Sequence, residues 1–296
     1  MNFGRVTHPE HIDFTLPEDA VGTSKILRKQ IADKSPVIHV GCAKWNRTEL
    51  KGFYPRGTKD ELTYYSKQFN AIELNATFYN MFSAEQFSVW YHKTPEGFKF
   101  FPKLPKVISH ERQLKHTEVF VDTFLSHVSN LEDKLGTIFL QLHEGFSPNH
   151  FQSVEAFIAR WPKHIPLAIE FRDHHWYHDK DVATQLYKLL ETYNIANVIV
   201  DTAGRRDLLH MRLTNSTAFV RFVGANHESD YKRLSDWVTR LKTWKAQGVK
   251  EINFFIHQNI EKESPLLSAY FIKELNNALG CGLKIPNQSA QHTLFI

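Results

Sequence analysis

The chain has 296 residues, of which 42% are hydrophobic and 23% charged, and its 13 Gly, 12 Pro and 2 Cys exclude a collagen-like chain, a flexible linker array and a disulfide scaffold. The formal net charge of +4 is mildly basic and no Lys/Arg block forms an arm, so an anionic or nucleic-acid partner is permitted without being required. No run of eighteen apolar residues occurs, and residues 1–30 carry acids without an apolar stretch; neither a membrane span nor a secretory signal is read, and the expected location is cytoplasmic.

Residues 1–35 read as an N-terminal extension with one helix near 25–31. From Pro36 onward, short apolar runs alternate with longer amphipathic stretches, the pattern of repeated βα units on a parallel sheet. A strand at 37–42 is followed by a helix at 59–69, and a strand at 71–75 by a helix that Ser83 and Gln86 open as a capping box and that runs through Tyr91. Strands at 98–103, 137–142 and 167–172 are followed by helices at 117–135, 151–160 and 182–193. The strand at 197–201 leads into a short, weakly patterned crossover at 205–213, and the strand at 218–223 into a helix at 229–246. After the last strand, at 252–257, Ser264 reads as an N-cap, Pro265 as a first-turn residue and Gly280 as the stop behind the apolar stripe of Leu267, Phe271, Leu275 and Leu279. About eight strands, one per roughly thirty residues, predict an α/β fold of the (β/α)8 TIM-like barrel type, a single domain at 36–280 with the N-terminal extension and a tail at 281–296.

Ionisable and amide residues interrupt these strands near their C-terminal ends, where barrel active sites are built. They are Glu73 and Asn75, Lys103, Gln141, Glu170 and Arg172, Asp201, Arg221, and His257 with Gln258. Side chains alternate between faces, so Glu73 shares a face with Asn75, Glu170 with Arg172, and Arg221 with Phe219. Both faces of a parallel strand are normally apolar, so a charge there needs a reason. One reason is a buried ion pair; convergence of many such groups on one mouth favours a site.

The segments Gly41-Cys42-Ala43-Lys44-Trp45, Phe53-Tyr54-Pro55, Glu73-Leu74-Asn75-Ala76-Thr77-Phe78-Tyr79, Phe98-Lys99-Phe100 with Lys103 and Pro105, Phe139-Leu140-Gln141-Leu142, and Glu170-Phe171-Arg172 with Trp176 resemble the DUF72 (YecE-like) family. The resemblance runs in order from about Ile38 to Leu279 and implies a TIM-type barrel, broadly similar to xylose isomerase and endonuclease IV barrels, with no established activity. The chain has His257-Gln258 where the family more often has an Asn-Asn pair, and Asp173-His174-His175-Trp176 where a His-Pro-Ser-Trp pattern is usual.

Glu73 and Glu170 could divide acid and base work if their surroundings push their pKa values apart, with Glu170 the stronger candidate, and Lys103 completes the catalytic set. Arg172 and Arg221 suit a phosphate or carboxylate, and Asn75, Gln141, Asp201 and His257 complete the polar lining. Among the loop aromatics Trp45, Tyr54, Phe78, Tyr79 and Trp176, the preferred ligand platforms are Trp45, Tyr79 and Trp176. Glu73, Glu170, Asp201, His257 and His174 or His175 are the available metal ligands, but no close-spaced metal motif joins them, and the letters name neither a metal nor a cofactor. Gly145-Phe146-Ser147 could turn backbone N–H groups toward an anion. The ending, with Gln291, Leu294 and Phe295, resembles the short bacterial sliding-clamp binding peptide, although a Leu-Phe terminus could equally fold back on the barrel. Three readings follow: an enzyme doing acid-base chemistry on a small anionic sugar-like or nucleotide-like substrate, a DNA repair or processing enzyme recruited by a clamp, and a non-catalytic ligand-binding barrel.

Overall fold

Short apolar runs bounded by turn residues become parallel strands only where both faces are covered, and here they are. The computed structural model describes residues 4–28 and 35–287. The clamp-like ending and the last residues of the helix expected at 25–31 lie outside them. The strands are β1 (Val37–Cys42), β2 (Ala71–Leu74), β3 (Lys99–Pro102), β4 (Ile138–Gln141), β5 (Leu167–Glu170), β6 (Ala196–Asn197), β7 (Ile199–Thr202), β8 (Thr217–Gly224) and β9 (Glu251–Gln258). They form parallel sheets in the orders β1-β9-β8-β7, β2-β3 and β4-β5-β6, an α/β fold of barrel-like form. The run expected at 197–201 is split at Val198, whose N–H donates to the Ile169 carbonyl at 2.9 Å.

The helices are α1 (Val21–Arg28), α2 (Glu61–Tyr65), α3 (Ala76–Tyr79), α4 (Ala84–Lys93), α5 (Glu118–Val128), α6 (Phe151–Arg160), α7 (His175–His178), α8 (Lys180–Thr192), α9 (Ser229–Gln247) and α10 (Ser264–Leu279). Ser83 caps α4 by accepting from the Gln86 N–H, as its spacing predicts. Two expected helices are shorter. The one at 59–69 is reduced to α2, capped by Asp60, and the one at 117–135 stops at Val128 and continues as a 3-10 turn in which Glu132 has φ 48°. Ser264 is not the N-cap of α10: it is the first helical residue, and its hydroxyl donates to the Glu261 carboxylate at 2.6 Å. Gly280 does stop α10, at φ 66°, a conformation that side chains with a Cβ resist.

The crossover after β7 contains no α-helix, only a 3-10 turn at Ala203–Leu208. The N-terminal segment takes up the cover. Thr23 donates to the Met211 carbonyl at 2.9 Å and accepts from the Leu213 N–H at 3.0 Å, and Asp19 pairs with Arg240 of α9 at 2.5 Å. A missing helix is thereby replaced by chain from the other side of β1.

Alternate strand residues build the inside of the strand layer. Ala71, Phe101, Phe139, Ala168, Ala196, Val198, Val200, Phe219 and Phe255 form one buried cluster there, apart from the larger core between strands and helices. The seam between β1 and β2 is closed by a side chain: the Asn70 amide oxygen accepts from Val40 N–H at 2.9 Å, and its NH2 donates to the Ile38 carbonyl at 2.7 Å. Gly41 belongs to the same seam, where a Cβ would fall on the Ala71 carbonyl. Replacing Asn70 with Ala strands one donor and one acceptor of β1, so we expect a loss of about 1–3 kcal/mol, read as a lower urea midpoint at unchanged slope. An unchanged midpoint would show that water repairs the seam.

Candidate active site

Two residues further along the strands than the apolar interior cluster, the same face turns polar. Glu73 follows Ala71, Lys103 follows Phe101, Gln141 follows Phe139, Glu170 follows Ala168, Arg221 follows Phe219 and His257 follows Phe255. The hub is Arg221, 5% exposed. Its Nε donates to Glu73 Oε2 at 2.9 Å and its Nη2 to Glu73 Oε1 at 2.7 Å, a forked pair, while Nη1 donates to Glu170 Oε2 at 2.5 Å and to Gln141 Oε1 at 3.2 Å. Arg172 Nε donates to Glu170 Oε1 at 2.5 Å, and its Nη2 to Gln141 Oε1 at 2.7 Å. Asn75 donates to Glu73 Oε1 at 2.7 Å, and His257 Nε2 lies 2.9 Å from Glu73 Oε2. Strands β2, β4, β5, β8 and β9 are tied together through this one set of charges.

Both carboxylates are completely buried. Burial pushes the Glu170 pKa up, but Arg172 and Arg221 outweigh it and hold the acid at about 2. The same balance, between burial and the opposing Arg221 and His257, keeps Glu73 well below the ordinary carboxylate range. Neither is poised to exchange a proton near neutrality. Lys103 is. It is 6% exposed, its amine makes no hydrogen bond or ion pair among the described residues, and its Nζ sits 3.8 Å from the centre of the Phe78 ring. Burial first, then repulsion from Arg221 and Arg172, bring its pKa down to about 7, against the attraction of Glu170 and Glu73. Beside it, His110 stacks edge-on to Phe78 at 4.9 Å, and burial followed by the Lys103 charge pushes its pKa to about 4, so its imidazole is neutral.

The structure therefore brings Glu73, Asn75, Lys103, Gln141, Glu170, Arg172, Arg221 and His257 into one cluster, and leaves four expected site residues elsewhere. Asp201 stands at a strand end but on the opposite face from Val200; it is fully buried against α9, accepting from Arg233 Nη2 at 2.8 Å and Trp237 Nε1 at 2.7 Å, with Arg206 as a further partner. Trp176 is core: it is 0% exposed, its indole N–H donates to the Phe146 carbonyl at 2.6 Å, and its ring packs on Phe171. Trp45 stands edge-on to Trp90 of α4 at 5.6 Å. Tyr79 is 75% exposed and touches the ring of Phe78, so the aromatic facing the cluster is Phe78. The Gly145-Phe146-Ser147 turn offers no anion cradle, because its N–H groups are consumed by His143 Nδ1, the His143 carbonyl and the Gly145 carbonyl.

The expected metal ligands do not form one ion site: Glu73, Glu170 and His257 meet in the charged cluster, Asp201 lies on the outer face, and His174 and His175 group with Asp173. Among the described residues, the groups able to hold an ion are His8, Glu10 and His11, and Asp173, His174 and His175; Glu73, Glu170, Asp201 and His257 belong to neither. The first two of these acids are spent on guanidinium groups. Sequence reasoning missed His110 and His143, which lie in the loops after β3 and β4, where only position after a strand end could point to them. His143 Nε2 is buried without a hydrogen-bond partner among the described residues. Glu261 was missed for the same reason: burial raises its pKa above the ordinary range, and its Oε1 is 3.9 Å from His257 Nδ1.

A family model described as "Protein of unknown function DUF72" matches residues 39–291. The chain is 25% identical over 276 residues to the UPF0759 protein YecE of Escherichia coli (strain K12), covering 86% of this chain and 99% of that protein. It is 29% identical over 155 residues to the UPF0759 protein YunF of Bacillus subtilis (strain 168), covering 48% of this chain and 52% of that one. The crystal structure of a DUF72 family protein from Enterococcus faecalis V583 superposes with a TM-score of 0.67 at 20% identity, over 81% of this chain and 98% of that chain. A DUF72 family protein from Thermotoga maritima MSB8 gives 0.65 at 24% identity, over 81% and 99%. These structures share its fold.

Removing one partner from a buried ion pair leaves the other charge uncompensated. Glu170→Gln is therefore expected to cost about 3 kcal/mol or more in urea denaturation, by leaving Arg172 and Arg221 short of charge. The pH dependence carries a sign: an acid held below its ordinary 4.5 adds stability that is complete above that pH and is lost as pH falls toward about 2. Acid unfolding followed by circular dichroism should be shallower across that window in Glu170→Gln than in the wild type. Superimposable acid profiles would remove Glu170 from the list of stabilising charges.

Proposed function

We propose a function on the premise that the chain belongs to the DUF72 family, whose description names no activity: the strand-end face binds a small anionic compound, phosphorylated or carboxylated and sugar-like or nucleotide-like, and performs acid-base chemistry on it. The observation that carries this reading is the charge left over at Lys103. Arg221 and Arg172 satisfy the two carboxylates, so the third cation is left without an ion-pair partner among the described residues. A ligand anion supplies one. Lys103, rather than Glu170, is then the proton-transfer group, since its pKa near 7 suits exchange at physiological pH while that of Glu170 does not. Arg172 and Gln141 orient the anion, and Phe78 supplies an apolar wall.

A closed (β/α)8 barrel, one domain at 36–280 with extensions on either side, is the architecture we attach to this reading. It is supported by contacts across two of the gaps between sheets: Gly136 N–H to the Phe100 carbonyl at 2.8 Å and Leu104 N–H to the Phe139 carbonyl at 2.9 Å between β3 and β4, and the Asn70 bridge between β1 and β2. No helix among the described residues is long and apolar enough to cross a membrane, which supports a cytoplasmic setting.

An anion that needs the Lys103 ammonium binds best where that amine is protonated. Sulfate, which does not titrate in this range, should therefore raise the melting temperature at pH 6 more than at pH 8, with affinity about tenfold tighter at the lower pH for a group titrating near 7. Arg172→Gln should lose most of the shift. No sulfate effect at either pH, or an equal one in Arg172→Gln, contradicts the anion site.

A further inference from the structure

We infer that Lys103 is a nucleophile that condenses with the carbonyl group of an anionic aldehyde or ketone to form a covalent imine. The inference rests on the anion-binding reading above and names the reactive group within it. A lysine that merely anchors an anion, or neutralises a carboxylate, is expected to pair with one of the two acids on its own face of the strand layer. Here both acids are taken by arginines, Glu73 by Arg221 and Glu170 by Arg221 and Arg172, and the amine is left without a hydrogen-bond or ion-pair partner among the described residues. It is also nearly desolvated, at 6% exposure, and lies against the face of Phe78. Desolvation beside other cations is how a lysine amine is kept neutral and nucleophilic. The surroundings agree: burial, Arg221 and Arg172 lower its pKa to about 7, so about half the molecules carry a free lone pair at neutral pH.

The step balances without any co-reactant. The neutral Nζ attacks the carbonyl carbon, the C=O electron pair moves to oxygen, and that oxygen takes up a proton as nitrogen releases one, giving a carbinolamine. The nitrogen lone pair then expels the hydroxyl, with a proton, as water and leaves C=N. One water is released for each imine formed. The groups whose charge bears on Lys103 are Glu73 from β2, Glu170 and Arg172 from β5 and its following loop, and Arg221 from β8, while His110 from the turn after β3 stays neutral. The Phe78 face that receives an ammonium equally receives the protonated imine. Arg172 would hold the phosphate or carboxylate that accompanies the carbonyl.

The test is reductive trapping of the full chain at pH 7 with glycolaldehyde phosphate or pyruvate and sodium cyanoborohydride, followed by peptide mass mapping. The expected result is one adduct per chain on Lys103, formed on the order of a hundredfold faster than on the exposed Lys51 and rising with pH through about 7. It should slow tenfold or more in excess sulfate, and the labelled peptide should disappear in Lys103→Met. The wild-type selectivity is read within one sample, so the outcome stands even where Lys103→Met folds poorly. Adducts spread over surface lysines with no preference for Lys103 overturn the imine. If that occurs while sulfate still stabilises the protein through Arg172, the anion site survives and the nucleophile does not; a selective Lys103 adduct without any sulfate effect supports the nucleophile and removes the anion site.

Discussion

Arg221 is the constraint on which the rest depends. Two carboxylates with no exposed surface cannot stay ionised in a protein interior unless opposite charge and hydrogen bonds replace the lost water. One planar guanidinium does this for both, forking onto Glu73 on one side and reaching Glu170 on the other. A lysine could not take its place, since it presents a point charge instead of a fork. Because the partners come from β2, β5 and β8, the geometry fixes how far apart these strands stand, and the strand layer beneath is filled to match by Phe101, Phe139, Phe219 and Phe255.

The same constraint shapes the chemistry proposed above. Two acids on one barrel face suggest divided acid and base roles, but that division needs their pKa values to part, and here a shared cation lowers both. What differs is Lys103. The arginines that stabilise the acids repel it, and the acids that could have paired with it are already engaged. The amine proposed as reactive thus owes its setting to the pairing of its neighbours, and a substitution that loosens the Arg221 fork is expected to free a carboxylate to pair with Lys103 and return its amine toward an ordinary basicity.

Much of this was legible in the sequence because strand parity is strict. Glu73, Gln141, Glu170 and Arg221 each stand two residues from an interior apolar residue, and all four reach the cluster. Asp201 fails on the same rule: it lies one residue from Val200, so the strand end places it at the right height on the wrong face. Trp176 and Trp45 fail for another reason. A loop following a strand bounds where an aromatic can be but not whether its ring turns inward, and Trp176 turns in because the Phe146 carbonyl meets its indole N–H. The helix expected at 59–69 ends at Tyr65, and Phe69 reaches the core from beyond the turn that follows, stacking on Tyr65 at 4.7 Å. What no pattern could supply is who pairs with whom: Lys103 stands out only once Arg221 and Arg172 are seen to have taken its partners.

The fate of Asp201 also explains the weakest unit of the fold. Turned outward from β7, it meets Arg233 and Trp237 of α9 and Arg206 of the 3-10 turn, while Arg233 also pairs with Asp230 at 2.8 Å. This outer knot lies where the crossover after β7 lacks an α-helix. Arg206 reaches on to the carbonyls of Phe14 and Thr15, and Arg233 lies 4.4 Å from the Phe14 ring, so the N-terminal segment is held in the gap by charge and by packing together. The two buried networks differ in one respect. Outside, every carboxylate and guanidinium belongs to a partner within the knot and the result is a joint between segments distant in sequence. Inside, the arginines close on the acids and leave the Lys103 amine unpaired among the described residues, and that imbalance is the ground for proposing a site there instead of a joint built of the same residue types.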